Sequence, residues 1–204
     1  MKKTLLAFIA LLFLVIATGC ATETAATNEG RKTITVAHEL GEVQVVKNPQ
    51  NVVVLDFGML DTMDKLGIQV TGIPKNNLPE YLSHFNTDEF SSVGGLRELD
   101  FEAIHALNPE LIIISARQIE QYEELSDIAP TIFLGVDATD YMNSFKKNVH
   151  TLGKIFDQSD KIDESLTQID ETIAQIKEKA QGNSALVVLA SEGSVSAFGP
   201  GSRF

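Results

Sequence analysis

Four cations stand where an apolar run or a glycine turn ends. Lys75 follows VTGIP, Arg97 follows Val93-Gly94-Gly95-Leu96, Arg117 follows LIIIS, and Arg203 lies in the terminal stretch SAFGPGSRF. A guanidinium is always charged, planar and able to donate hydrogen bonds in pairs, so it suits oxygens and negative charge on a ligand. Arg117 is the strongest of the four. If LIIIS is a parallel strand, a side chain at its carboxyl end faces the crevice where such sheets bind ligands. Gln118 beside it offers a further hydrogen-bond donor. The competing readings are ordinary surface pairs, Arg117 with Glu120 or Glu124 and Arg97 with Glu98 or Asp100.

Other chemistries find less support. The chain holds no GxxxxGK[ST], GxSxG, HExxH or CxxC pattern, so a secreted esterase has neither a nucleophile elbow nor a histidine–acid pairing behind it. His38, His84, His105 and His150 are scattered, and none follows a strand of the expected α/β layer, which disfavours direct metal binding. His105 reads as a packed residue on an apolar helix face. With 16 Lys and Arg against 28 Asp and Glu, the formal net charge is −12. Nucleic-acid binding needs clustered cations, and no nucleic-acid partner is expected.

The amino terminus reads as an export signal. Lys2 and Lys3 precede the apolar run Leu5 to Ala17, and Ala17-Thr18-Gly19-Cys20 follows. The run is about 13 residues, short of the roughly 20 that span a bilayer. Cys20, the only cysteine, cannot form an internal disulfide. Its setting resembles a bacterial lipobox, which implies lipidation and tethering to the outer face of a membrane. Loss of residues 1–19 with Lys2 and Lys3 takes the net charge from −12 to −14.

The elements that must place the cations follow from periodicity. TITVAHELGEVQVV, residues 33–46, alternates as a hairpin. NVVVL (51–55), VTGI (70–73), LIIIS (111–115) and TIFLG (131–135) are short apolar strands. Helical spacing falls between them: LDTMDKLGI with Gly67 as a stop, Leu99 to Leu107 with Asp100 as N-cap, Gln118 to Asp127, and Tyr141 to Gly153. Strands alternating with helices predict an α/β fold, a Rossmann-like N-terminal lobe around a parallel sheet. From Gln158 to Ala180, Ile162, Leu166, Ile169, Ile173 and Ile176 form one apolar stripe on a long helix. A new strand, ALVVLA, begins at 185. The expected organisation is a signal peptide over 1–19 and a lipidated cysteine with flexible tether over 20–32. An N-terminal α/β lobe follows over 33–156, then an interlobe helix over 157–181. Residues 184–204 would open a second α/β lobe that is cut off, so the chain reads as truncated.

This order resembles the iron-siderophore class of ABC-transporter substrate-binding proteins. The resemblance rests on KNPQNVVVLDFGMLDTMDKLG, on VGGLRELDFEAIHALNPELIIIS, and on SARQ, IAPTIFLG and SAFGPGSRF. In detail the chain is similar to Gram-positive lipoproteins that bind ferric siderophores of petrobactin and catecholate type. The resemblance implies two lobes joined by a rigid helix, a ligand held in the cleft between them, and delivery to an ABC permease and its ATPase subunits. It implies no cofactor and no catalysis: the ligand is a ferric siderophore, whose iron the protein does not ligate. Arg117 in SARQ and Arg203 in GPGSR would contact that chelate from opposite lobes, with Arg97, Lys75, Gln118 and Tyr122 as further candidates. Tyr81, Phe57, Tyr122 and Tyr141 are candidates to stack on catechol rings, against the ordinary fate of an aromatic in a core. Glu102, with Glu98 as runner-up, would dock on permease arginines. Alternatives within the class are a haem or cobalamin receptor, or a truncated chain without transport activity.

Overall fold

The computed structural model describes residues 30–199. The leader, Cys20 and Arg203 lie outside the described residues.

Alternating side chains build the hairpin β1 (Thr33–His38) and β2 (Gly41–Val46), paired antiparallel from Thr33 opposite Val46 to His38 opposite Gly41. The lobe then alternates strands with helices as its periodicity predicts. Its strands are β3 (Val52–Val54), β4 (Gly72–Ile73), β5 (Ser91–Ser92), β6 (Leu111–Ile114) and β7 (Thr131–Phe133). Its helices are α1 (Phe57–Leu66), α2 (Phe101–Ala106), α3 (Tyr122–Ile128), α4 (Tyr141–Phe156) and α5 (Ser159–Lys179). The five strands form one parallel sheet in the order β5-β4-β3-β6-β7.

Both faces of that sheet are covered, which is why its central strands are apolar at every position. Val52, Val54, Leu111, Ile113 and Ile132 face one way, against Met59, Leu60 and Met63 of α1 and Leu152, Ile155 and Phe156 of α4. Val53, Leu55, Ile112, Ile114 and Phe133 face the other way, against Ile104 of α2 and Leu125 of α3. Each fully buried side chain of this size contributes about 2 kcal/mol by leaving water. Caps fix the helix ends where the sequence signals them. Asp56 accepts from the Met59 N–H at 2.9 Å, Asp100 accepts from the Ala103 N–H at 2.9 Å, and Gly67 ends α1 in the left-handed region.

Two expectations are corrected, and two elements were not expected. The helix expected over Gln118 to Asp127 begins as a 3-10 turn over Ala116–Gln121. Gln118 leaves helical geometry there, at φ −110° and ψ 15°, because its side chain caps the turn. Strand β5 and the 3-10 turn Glu80–Phe85 were not foreseen, since Ser91-Ser92 carries no apolar signal. His105, expected to be packed, is exposed on α2, and the side chain that goes inward is its neighbour Ile104.

Helix α5 is held only over its first turns. Ile162 and Leu166 are buried, the Lys161 Nζ donates to the Leu66 carbonyl at 2.8 Å, and Lys146 pairs with Asp170 at 2.7 Å. Farther along, the same stripe emerges, with Ile176 58 % exposed. The last described elements, β8 (Val187–Ser191) and β9 (Ser194–Phe198), form a separate antiparallel hairpin whose Leu189 and Val195 are uncovered among the described residues. Among the described residues no helix is long and apolar enough to cross a membrane.

Candidate functional site

The strand order places a crevice. The chain leaves β3 towards β4 and leaves β6 towards β7, in opposite directions across the sheet. The carboxyl ends of β3 and β6 are therefore the topological switch point, where open α/β sheets bind ligands. A cavity of about 450 Å³ opens there, lined by Asp56 and Met59 after β3, Ser115 and Arg117 after β6, Gly135 and Val136 after β7, and Tyr141 and Phe145 from α4.

Arg117 is exposed at this mouth and forms no ion pair with Glu120 or Glu124 among the described residues. Its guanidinium is free to meet a ligand. Across from it, Tyr141 and Phe145 stack one helical turn apart, ring centroids 6.4 Å and planes 12° from parallel. Tyr141 is 56 % exposed, an open ring beside an open cation. Such a wall takes a flat, oxygen-rich ligand: the rings cover a π face and the guanidinium meets its oxygens. Asp56 also lines the cavity, but its Oδ1 is engaged in the cap of α1. Asp61, farther along α1, is a second, half-buried carboxylate of the same lining.

The wall is held rigid from behind. Asn148 is buried and donates from Nδ2 to the carbonyls of Leu134 at 2.9 Å and Gly135 at 2.8 Å, joining α4 to the end of β7. At Gly135 an added Cβ would lie 2.3 Å from the Phe133 ring, so any side chain there would force that buried ring to shift.

Gln118 takes another part than the ligand donor expected of it. It is 1 % exposed; its Oε1 accepts from the Ser115 N–H at 3.3 Å and its Nε2 donates to the Leu96 carbonyl at 2.7 Å. The loop it reaches turns on Gly94, at φ +89°, where an added Cβ would lie 2.4 Å from the Glu98 carbonyl. Only glycine fits there. Arg97 is exposed on that loop.

The other expected residues lie apart from the cavity lining. Lys75 is at the carboxyl end of β4, but its Nζ donates to the Thr87 carbonyl at 2.6 Å and ties down its own loop. Tyr122 packs edge-on against His38 of the hairpin, ring centroids 5.6 Å apart. Phe57 packs on the core, and Tyr81 stands exposed on the 3-10 turn. Glu98 is exposed beside Arg97. Glu102 lines a separate shallow groove between α2 and α3, with Glu124 and Asp127. Among the described residues no three His, Cys, Asp or Glu side chains converge as metal ligands. His84 sits 3.3 Å from Asp64 and His150 3.5 Å from Asp163, as separate pairs.

Asn148 and Phe145 were missed by sequence reasoning. One signal was available: an asparagine beside Val149 and Leu152, on the buried side of an otherwise ordinary amphipathic helix, needs a polar partner there.

A second groove of about 540 Å³ runs between α1, α4 and α5 and shares Asp61, Thr62 and Phe145 with the crevice. Its floor is apolar, with Val149, Ile162 and Leu166, and Lys65 is its one cation among the lining residues.

The family model described as "Periplasmic binding protein" matches residues 52–204. The chain belongs to the periplasmic binding protein family. Within that family it is 49 % identical to the petrobactin-binding protein YclQ of Bacillus subtilis, an alignment covering 100 % of this chain and 67 % of the relative. It is 31 % identical to the ferric-anguibactin-binding protein FatB of Vibrio anguillarum over 84 % of this chain and 55 % of that one. The crystal structure of YclQ superposes with a TM-score of 0.82 at 52 % identity, covering 85 % of this chain and 63 % of that chain. The siderophore-binding protein BauB, solved with two acinetobactin molecules and ferric iron, superposes with a TM-score of 0.77 at 33 % identity, covering 82 % and 62 %. The chain thus spans about two thirds or less of the family members it matches.

Proposed function

We propose that this chain captures a ferric siderophore of the petrobactin or catecholate type for an ABC importer, and that the switch-point crevice is one wall of its binding cleft. The observation that carries the reading is Arg117, an exposed guanidinium without an ion pair among the described residues, at the carboxyl end of β6 in the same cavity lining as the Tyr141–Phe145 stack. A ferric catecholate presents both features this wall asks for, flat rings and anionic oxygens. The iron is cargo, already enclosed by chelate oxygens, and the protein needs to recognise only the chelate surface. The names of YclQ and FatB, and the contents of the BauB structure, support the same ligand class.

The remaining parts of the reading follow from it. Arg203 supplies a second cation from beyond the described residues, and Arg97 extends the patch on the near wall. Cys20 carries the lipid that holds the protein on the extracytoplasmic face of the cell membrane. Glu102, with Glu98, meets arginines of a permease served by its ATPase subunits. The protein acts as a carrier and performs no chemistry on its ligand.

Titration with ferric petrobactin, followed by quenching of the three tyrosines, tests the proposal. Saturable quenching by ferric petrobactin, with no Soret shift when haem is titrated instead, is the expected result. A Soret shift with haem and no response to ferric petrobactin would overturn it.

A further inference from the structure

Gln118 lies in sequence directly after Arg117, and Leu96 directly before Arg97. One hydrogen bond from a buried side chain, Gln118 Nε2 to the Leu96 carbonyl at 2.7 Å, therefore joins the two cation-bearing loops. The loops come from far apart in the sheet. Residues 94–98 follow β5 at one edge, while Ser115 to Gln118 follow β6, with β4 and β3 between them. The other end of the same amide is fixed as well, since Oε1 accepts from the Ser115 N–H at 3.3 Å. The side chain is 1 % exposed, which shields these bonds from water. We propose that Gln118 is a positioning residue that sets the spacing of Arg97 and Arg117, making the two guanidiniums one preset anion-binding patch rather than two independent surface cations.

This deepens the siderophore reading and rests on it. A preset pair loses less side-chain and loop freedom when an oxyanion binds, and that saving appears as affinity. It also gives selectivity, because two guanidiniums carried on loops of set spacing favour ligands whose anionic oxygens are spaced to suit. The first loop is tied to the chain after β4 by the Asn76 N–H donating to the Gly94 carbonyl at 3.1 Å, and Gln118 is what ties it to the second. Gly94 supplies the turn of the first, with the Gly95 N–H donating to the Glu98 carbonyl at 2.9 Å. The second is a short 3-10 turn in which Gln118 itself has left helical geometry.

The test uses Gln118→Leu, with Gln118→Met as a second variant that keeps the side-chain length if the first folds poorly. Amide hydrogen exchange reads the staple without any ligand. Faster exchange confined to residues 94–98 and 115–118 supports it, and exchange unchanged in both segments overturns it. Binding of ferric petrobactin reads the consequence through a double-mutant cycle with Arg97→Ala. In the unsubstituted background Arg97→Ala is expected to weaken binding about tenfold, and in the Gln118→Leu background by less than about threefold, a coupling typical of groups that act together. Equal losses in the two backgrounds would overturn the proposal. Failure of the unsubstituted chain to bind ferric petrobactin would remove the siderophore reading, while the exchange measurement would still decide whether Gln118 couples the loops.

Discussion

Asn148 donates to the Gly135 carbonyl at 2.8 Å from one helical turn below the Tyr141–Phe145 stack. The same amide nitrogen reaches the Leu134 carbonyl at 2.9 Å, so one buried side chain ties the aromatic wall to the strand end that floors the crevice. Asn148→Ala removes the partner of the buried Leu134 carbonyl and of the half-buried Gly135 carbonyl, and the expected loss is about 1–3 kcal/mol of stability. Urea unfolding measures it. Asn148→Asp is expected to be worse, since a carboxylate there would face two carbonyl oxygens.

Replacing Asp61 with Asn should strengthen binding of an anionic chelate. Asp61 is on the crevice rim, where its negative charge opposes the ligand that Arg117 attracts. The expected gain is about two- to fivefold at low salt, shrinking as ionic strength rises, because salt screens even a half-buried charge in part. Titration of ferric petrobactin at two salt concentrations checks both parts.

His38 makes stability depend on pH. Burial pushes its pKa below the ordinary 6.5, and hydrogen bonding to the Thr131 backbone offsets part of that. Its Nδ1 accepts from the Leu40 N–H at 3.3 Å, a bond the protonated ring loses. The folded state therefore holds the neutral form and the unfolded chain takes up the proton first. Stability is full above pH 6.5, falls as pH drops from there towards the lowered folded pKa, and levels below it. Urea midpoints across pH 5–8 should show this fall, and His38→Gln should flatten it.

Cys20→Ala should release the exported protein from the membrane fraction without altering its ligand affinity, because the tether is distant in sequence from every crevice residue. Fractionation with and without the substitution reads the first part, and titration of the soluble protein reads the second.

The sequence made the sheet legible because its central strands are buried on both faces. VVVL, LIII and IFL, the cores of these strands, are apolar at every position and need no partner to be recognised. Arg117 was legible for the same reason, as the first strong cation after the most apolar strand. The edge strand β5 was not, because Ser91-Ser92 pairs through backbone alone. Gln118 and Lys75 stand at strand ends, where a donor facing ligand and a donor facing backbone have the same sequence signature. Only the positions of Leu96 and Thr87 separate the two cases, and both lie in loops whose paths no periodicity encodes. Tyr122 was misplaced because its partner His38 belongs to the hairpin, far away in the chain.

The central claim is that Arg117 meets the ligand. Its most direct test is the dissociation constant of ferric petrobactin for the unsubstituted protein and for Arg117→Ala, measured by tyrosine quenching at one fixed salt concentration. A loss of at least about tenfold, the ordinary cost of removing a charge-assisted contact, is predicted. An unchanged dissociation constant would take Arg117 out of the site and contradict the account.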